Sequence, residues 1–301
     1  MPPREPVELI ESGKAQVNKL VESVKDSWVI VIVIVAMLVL VIVVIYIVNM
    51  MKNTKLQNVV LQKDLITLDN RSAVPYKIPS ANMSLISNGQ EYSYSFWIFL
   101  GSTYTSTNGP KIILQRGNTG AYSASTIKIN TGTSPLIMLD NITNKMYFCV
   151  ATSSANSSKL PSEIIETDAN GRFKPSGYLV TYIDYVPLQR WVNIALVVKN
   201  TSIYVYMDAD LYSVASLSDM ARSTSPSVTV NPIIMGTSGD LTIGDNVNVT
   251  SGYVSMARFY NFAMGQPDIA TMYNSGPAMS SWLSYLGLGN YGVRSPIYEV
   301  A

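Results

Sequence analysis

Glu163, Glu166 and Asp168 stand close together in this chain of 301 residues, and paired carboxylates are the working groups of a glycoside hydrolase. A retaining enzyme of that kind holds two carboxyl groups about 5–5.5 Å apart, flanking the bond it breaks. Glu163 and Glu166 are three positions apart, so on a strand they would point to opposite faces. The Ser-, Asn- and Gly-rich residues around them read as a surface loop, and no catalytic site is expected there. Asp208, Asp210, Asp240 and Asp245 could donate oxygens to calcium, which takes about six to eight of them. Asp is equally the default turn residue, and no ligand pattern links these four, so neither a metal nor a cofactor is expected.

Composition narrows the chemistry further. The chain has no histidine, which removes Ser-His-Asp and Cys-His nucleophile systems and any His-ligated zinc site. Cys149 is the single cysteine. It excludes an intrachain disulfide and, within Met146-Tyr-Phe-Cys-Val150, reads as a small buried apolar residue rather than a reactive thiol. The formal charge is +1, from 21 basic and 20 acidic residues. No stretch is rich in Lys and Arg, so no nucleic-acid partner is expected. The chain does not read as an enzyme.

The aromatic residues are the stronger signal. There are 19 tyrosines, and Tyr92, Tyr94, Trp97, Tyr204 and Tyr206 fall on predicted strands. Such rings fill a sandwich core and make cross-strand pairs; exposed, they anchor a protein partner or stack on sugars. The core is the favoured place for these rings; where they are exposed, Tyr92, Tyr94, Tyr204 and Tyr206 are the candidates for a partner or glycan surface, with protein contacts favoured over sugars.

These residues must be positioned by strands. From residue 81 to 275 short runs of Val, Ile, Tyr, Phe and Thr alternate with Gly, Asn, Asp, Ser and Pro. The predicted strands are Tyr92–Leu100, Lys111–Arg116, Leu136–Leu139, Lys145–Ala151, Tyr178–Asp184, Trp191–Lys199, Ser202–Asp208, Leu211–Leu217, Leu241–Ile243 and Gly252–Phe262. Strands without intervening helices imply an all-β sandwich. One helix is predicted at Gln266–Asn274, with Pro267 in its first turn. Residues 49–80 read as a connector in which Leu56, Val59, Val60 and Lys63 continue a helix until Pro75 and Pro79 break it. Residues 276–301 form an apolar tail whose Trp282, Leu283, Tyr285 and Leu286 are candidates for docking onto the sandwich, a neighbour or a bilayer.

Ahead of all this, Trp28 to Val48 carry no charge, and 15 of the 20 residues after Trp28 are Val or Ile. A helix of that length spans about 30 Å, the thickness of a bilayer's hydrocarbon core. A single transmembrane helix over 28–48 is predicted. Trp28 and Tyr46 sit near its ends as interface anchors, and residues 1–27 form a short, helix-forming lead. Lys14, Lys19 and Lys25 before the span balance Lys52, Lys55 and Lys63 after it, so charge does not set its orientation.

The second half of the β region has a familiar order of pieces. Pro187-Leu-Gln-Arg-Trp-Val-Asn-Ile-Ala195 is followed by the hairpin Ser202-Ile-Tyr-Val-Tyr-Met-Asp208, then Leu241-Thr-Ile-Gly244, Gly252-Tyr-Val-Ser-Met-Ala-Arg-Phe-Tyr-Asn261 and Gln266-Pro-Asp-Ile-Ala-Thr-Met-Tyr-Asn274. Upstream lie Tyr94-Ser-Phe-Trp-Ile98 and Gln115-Arg-Gly-Asn118. This order resembles the concanavalin A-like, laminin-G-like jelly-roll family. Together with the N-terminal span, the wording resembles virion membrane proteins of large nucleocytoplasmic DNA viruses. The resemblance implies a jelly-roll sandwich behind a transmembrane helix, in the internal membrane beneath the capsid. It implies a minor capsid protein that tethers the bilayer to capsid or other virion proteins. A membrane-displayed lectin is the alternative, and a glycoside hydrolase a weaker one. One departure stands out. The family's hairpin reads Asp-Gly, and this chain has Asp208-Ala-Asp210. Ala does not easily take the positive φ of a two-residue turn, so a longer turn or another type is expected.

Overall fold

Strand pairing begins earlier in the chain than its sequence pattern suggests. The computed structural model describes residues 18, 28, 31–47, 58–62, 65–68, 76–83, 91–102, 109–117, 122–123, 126–153, 155, 157–218, 233–234, 237–245 and 250–277. By its contacts the chain divides into two units, Met1–Leu56 and Gln57–Ala301.

In the first unit residues 31–47 are helical and every one is exposed. The run is about 25 Å long, and it is apolar all round. Trp28 and Tyr46 are helical and exposed too. Among the described residues no helix is long and apolar enough to cross a membrane. The predicted span reaches positions 29, 30 and 48, which lie outside the described residues, as does most of the segment 1–27.

Among the described residues the second unit contains fifteen strands: β1 Asn58–Gln62, β2 Ile66–Thr67, β3 Tyr76–Ile78, β4 Tyr92–Leu100, β5 Lys111–Arg116, β6 Tyr122–Ser123, β7 Thr126–Ile127, β8 Leu136–Leu139, β9 Met146–Ala151, β10 Tyr178–Ile183, β11 Trp191–Lys199, β12 Ser202–Met207, β13 Asp210–Ser216, β14 Leu241–Ile243 and β15 Gly252–Tyr260. One sheet runs β1-β15-β4-β11-β12-β13, with β2 also paired to β15; the other runs β10-β9-β8-β5-β14-β3. Every pairing in both is antiparallel. β6 and β7 form a separate hairpin. The predicted strands are present with bounds shifted by no more than two residues.

Period two explains the core. Phe96, Ile98 and Leu100 of β4, and Val192, Ile194, Leu196 and Val198 of β11, point from the first sheet into one cluster. Ile137 and Leu139 of β8, and Phe148 and Val150 of β9, meet them from the second. Two antiparallel sheets sharing one apolar interior make an all-β sandwich. The second sheet also buries its other face. Ile112, Leu136, Met138, Cys149, Tyr178 and Val180 pack there under Ile127, Ile129 and Ile164, which come from the chain between β5 and β10.

The connector reading of 49–80 needs correction. Asn58–Gln62 is a strand paired with β15, β2 pairs with the same strand, and β3 pairs with β14. Val59 and Val60 fit a helical stripe by spacing, but they are β-branched, and an available sheet edge outweighs a weak helical preference.

Candidate interaction surface

The outer face of the first sheet is built in cross-strand rows. Ser93 of β4 lies between Val197 and Tyr260, and Ser95 between Ala195 and Arg258. These small side chains leave room for the chain after β15. The Ser93 hydroxyl donates to the Phe262 carbonyl at 2.9 Å and accepts from the Met264 N–H at 2.9 Å. The predicted helix Gln266–Asn274 then crosses the sheet, burying Ile269 and Met272. Its Tyr273 stacks on Trp97, with centroids 5.7 Å apart and planes 19° from parallel. Asp268 begins the helix by accepting the Gly265 N–H at 3.0 Å.

Beyond the helix the same face carries a row of three rings. Trp191, Phe99 and Tyr253 are direct neighbours on β11, β4 and β15. Phe99 lies 5.7 Å from Trp191 and 6.2 Å from Tyr253, centroid to centroid. The row is accessible: Tyr253 is 44% exposed and its two companions are half-buried. Gly252 makes it possible, because a Cβ there would stand 2.5 Å from the Phe99 carbonyl oxygen. Only a residue without a side chain lets β15 lie this close to β4 at the row.

On the far edge of the face, Tyr204 and Tyr206 of β12 pair with Val214 and Leu211 of β13. Both tyrosines are half-buried, while Leu211 is 52% and Val214 49% exposed. Burial pushes the Tyr206 phenol up, aided by Tyr204. The hairpin turn corrects the expectation of a longer turn or one of another type. Met207 pairs with Asp210, so only Asp208 and Ala209 form the turn, and their φ values are 52° and 71°. That is the two-residue geometry normally given to Asn-Gly. Neighbours hold it: the Asp208 carboxylate accepts from Arg190 and from the Asn193 N–H, both at 2.8 Å, and the Gln266 side chain donates to the Ala209 carbonyl at 2.7 Å.

Tyr92 and Tyr94 lie in the core, the place favoured for such rings from the sequence, and not on a partner or glycan surface. Both are fully buried, and burial pushes both phenols up, so they act as neutral hydrogen-bonding groups. Their even positions on β4 put them on the inward face with Phe96. Tyr92 shares a hydrogen bond with Ser134 at 3.1 Å, and Tyr94 one with Thr237 at 3.2 Å. Buried Arg116 donates to Tyr94 at 3.3 Å and lies over Phe259, 4.9 Å from its centroid.

The remaining candidates do not assemble. Glu163 and Glu166 are exposed; Glu163 accepts the Leu160 N–H at 2.8 Å and Glu166 pairs with Lys174. Asp240 pairs with Lys77 at 2.9 Å and accepts the Ser80 N–H; Lys77 is the larger influence holding its carboxyl below the ordinary value. Asp245 is buried with Lys111, their charged atoms 3.8 Å apart. Among the described residues no three His, Cys, Asp or Glu side chains come together as a metal site. Cys149 is buried, and burial pushes its thiol up. Trp282, Leu283, Tyr285 and Leu286 lie outside the described residues.

Sequence reading missed Trp191, Phe99 and Tyr253 as a group. Alternation marks each as lying opposite the core side of its own strand. Their adjacency depends on register across three strands, which no local pattern states.

The fold and this surface define a β-sandwich with one face partly open to contact. No protein-family model matches the chain, and no curated protein matches it. Among solved structures it is similar to a botulinum neurotoxin serotype D binding domain, with 12% identity, a TM-score of 0.40, and coverage of 72% of this chain and 41% of that one. It is also similar to the serotype G binding domain, with 10% identity, a TM-score of 0.38, and coverage of 71% and 45%. The chain thus spans less than half the length of these structures. Scores this low carry no argument about the chain beyond what its own two sheets show.

Proposed function

We propose that the chain is a membrane-anchored structural protein whose sandwich, of the concanavalin A-like jelly-roll class, tethers the internal membrane of a large DNA virus to its capsid. The observation that carries this reading is the helix over 31–47, apolar and exposed on all sides. A helix without a polar face is unfavourable in water and stable in lipid. Its sequence neighbours Val29, Ile30 and Val48 are apolar as well, which brings the run to the length of a bilayer core. The sandwich, held beside the membrane, presents a rigid surface to shell proteins. Many anchored copies act at high effective concentration, so weak contacts suffice. Alkaline carbonate extraction of purified particles should leave the protein with the membrane, and cross-linking should join it to shell proteins. Release by carbonate removes the anchor. An unchanged shell after the protein is stripped removes the tether.

The row of Trp191, Phe99 and Tyr253 supports a second reading, a membrane-displayed lectin that stacks sugar rings on it. Glycan-array binding by the full-length protein, lost in Trp191→Ala, would favour it over the tether. Neither reading uses Glu163 or Glu166.

A further inference from the structure

The aromatic row lies beside the point where the described chain ends. The Ser255 hydroxyl donates to the Pro277 carbonyl at 2.6 Å. Ser255 is two residues along β15 from Tyr253, on the same outer face, about 7 Å away. Phe99 and Trp191 follow one and two strands further, at about 4.8 Å per strand. The row's far end is therefore about 12 Å from the last fixed point of the chain. Trp282 is five residues beyond Pro277 and Leu283 six, a reach of about 17–20 Å when extended. Between Pro277 and Arg294 the sequence has no charged residue, which matches a row that contains none.

We propose that the C-terminal segment folds back on its own sandwich and seats Trp282 and Leu283 on the row formed by Trp191, Phe99 and Tyr253. The row is then an internal docking site. Any glycan or protein that binds there must first displace the tail. This assignment is independent of the virion reading, since it concerns the chain's own contacts.

The test uses the full-length protein in detergent, with Tyr253→Cys and Leu283→Cys introduced together. Cys149 is buried and does not compete. Mild oxidation should give a disulfide within one chain, identified by mass spectrometry. The control pair Val214→Cys and Leu283→Cys, on the far edge of the same face, should not form one. A second measurement is chymotryptic cleavage after Tyr285. The double variant Tyr253→Ala and Trp191→Ala should be cut about tenfold faster than wild type, with Leu211→Ala unchanged. Equal yields from both cysteine pairs, a disulfide only between two copies, or cleavage unaffected by the double variant would each overturn the assignment. Protection of Tyr285 that requires lipid vesicles would assign the tail to a bilayer instead, and also overturn it.

Discussion

The two sheets bury one face each against the other and treat their second faces differently. On the second sheet the outer face carries another apolar layer, with Ile112, Leu136, Met138 and Cys149 roofed by Ile127, Ile129 and Ile164. On the first sheet the closing helix Gln266–Asn274 lies over small residues, and large rings stand outside it. Both faces are rich in side chains that avoid water, but only one is finished by the chain described. A second difference sharpens the contrast. The second sheet has its own aromatic group, Tyr147, Phe173 and Tyr182, with centroids 6.0–6.3 Å apart. Lys145 caps it, its ammonium 4.0 Å from the Tyr182 centroid, and is itself paired with Asp184 at 3.1 Å. Burial pushes the Tyr147 phenol up to about 12. The row of Trp191, Phe99 and Tyr253 has no such cap among the described residues. Aromatic content therefore does not locate a binding face; the absence of a cover does.

The largest expected effect lies on the face that both sheets bury, where Lys111 stands across from Leu139. Lys111 and Asp245 are both fully buried, and the Asp245 carboxylate also accepts the Ile112 N–H at 2.7 Å. Asp245→Ala should destabilise the fold by about 3–5 kcal/mol, because it leaves a buried ammonium without its counter-charge. Adding Lys111→Met should recover much of that loss, since a buried apolar pair is tolerated where a single charge is not. Urea unfolding of the single and double variants measures both. A loss under about 1 kcal/mol in Asp245→Ala would mean that water reaches the pair and that the shared interior is open at this end.

Next comes a direct test of the two faces. Met138→Ala, under the roof of the second sheet, should cost about 2–5 kcal/mol from lost burial and the cavity left behind. Tyr253→Ala, on the row that only the tail is proposed to cover, should cost less, about 1 kcal/mol. Comparable losses would show that the row is part of the folded interior.

Much of this architecture was legible in the sequence, for definite reasons. Tyr92–Leu100 and Trp191–Lys199 are nine-residue strands, and their alternation survives burial on both sides because the outward positions are Ser, Ala and Asn beside larger rings. Gln266–Asn274 was legible from Pro267 and the stripe of Ile269, Met272 and Tyr273. Asn58–Gln62 was not, because five residues with two adjacent valines fit a helix face as well as a strand. Its pairing with β15 is supplied by residues some two hundred positions away. The surface was the least legible part. Tyr92 and Tyr94 face the shared interior and Tyr204 and Tyr206 the outer side of the same sheet, and which side becomes the core is set by register with distant strands.

A smaller effect tests how the open face is held. Trp97→Ala removes the stack with Tyr273 and opens space beneath the end of the closing helix. Aromatic pairs contribute about 0.5–1.5 kcal/mol beyond area burial, so the helix should exchange its amide hydrogens faster than the sheet does. Accelerated exchange confined to Gln266–Asn274 would show that the helix is a separately held cover. A uniform change across β4, β11 and the helix would make cover and sheet one cooperative unit.

The smallest effect is the only one expected to stabilise. Ala209 holds φ at 71° in a two-residue turn, a conformation that disfavours an L-residue by about 1–2 kcal/mol. Glycine removes that strain but enlarges the freedom of the unfolded chain, an opposing effect of about 0.4–1 kcal/mol. The balance favours Ala209→Gly by about 0.5–1 kcal/mol, seen as a higher urea midpoint at unchanged slope. The carbonyl that Gln266 binds and the carboxylate that Arg190 binds both remain in the variant, so the gain should not depend on the helix contact. A loss of stability instead would mean that the alanine methyl packs usefully at the rim of the open face. The hairpin tip would then belong to the surface bounded by Leu211 and Val214, rather than serving only to reverse the chain.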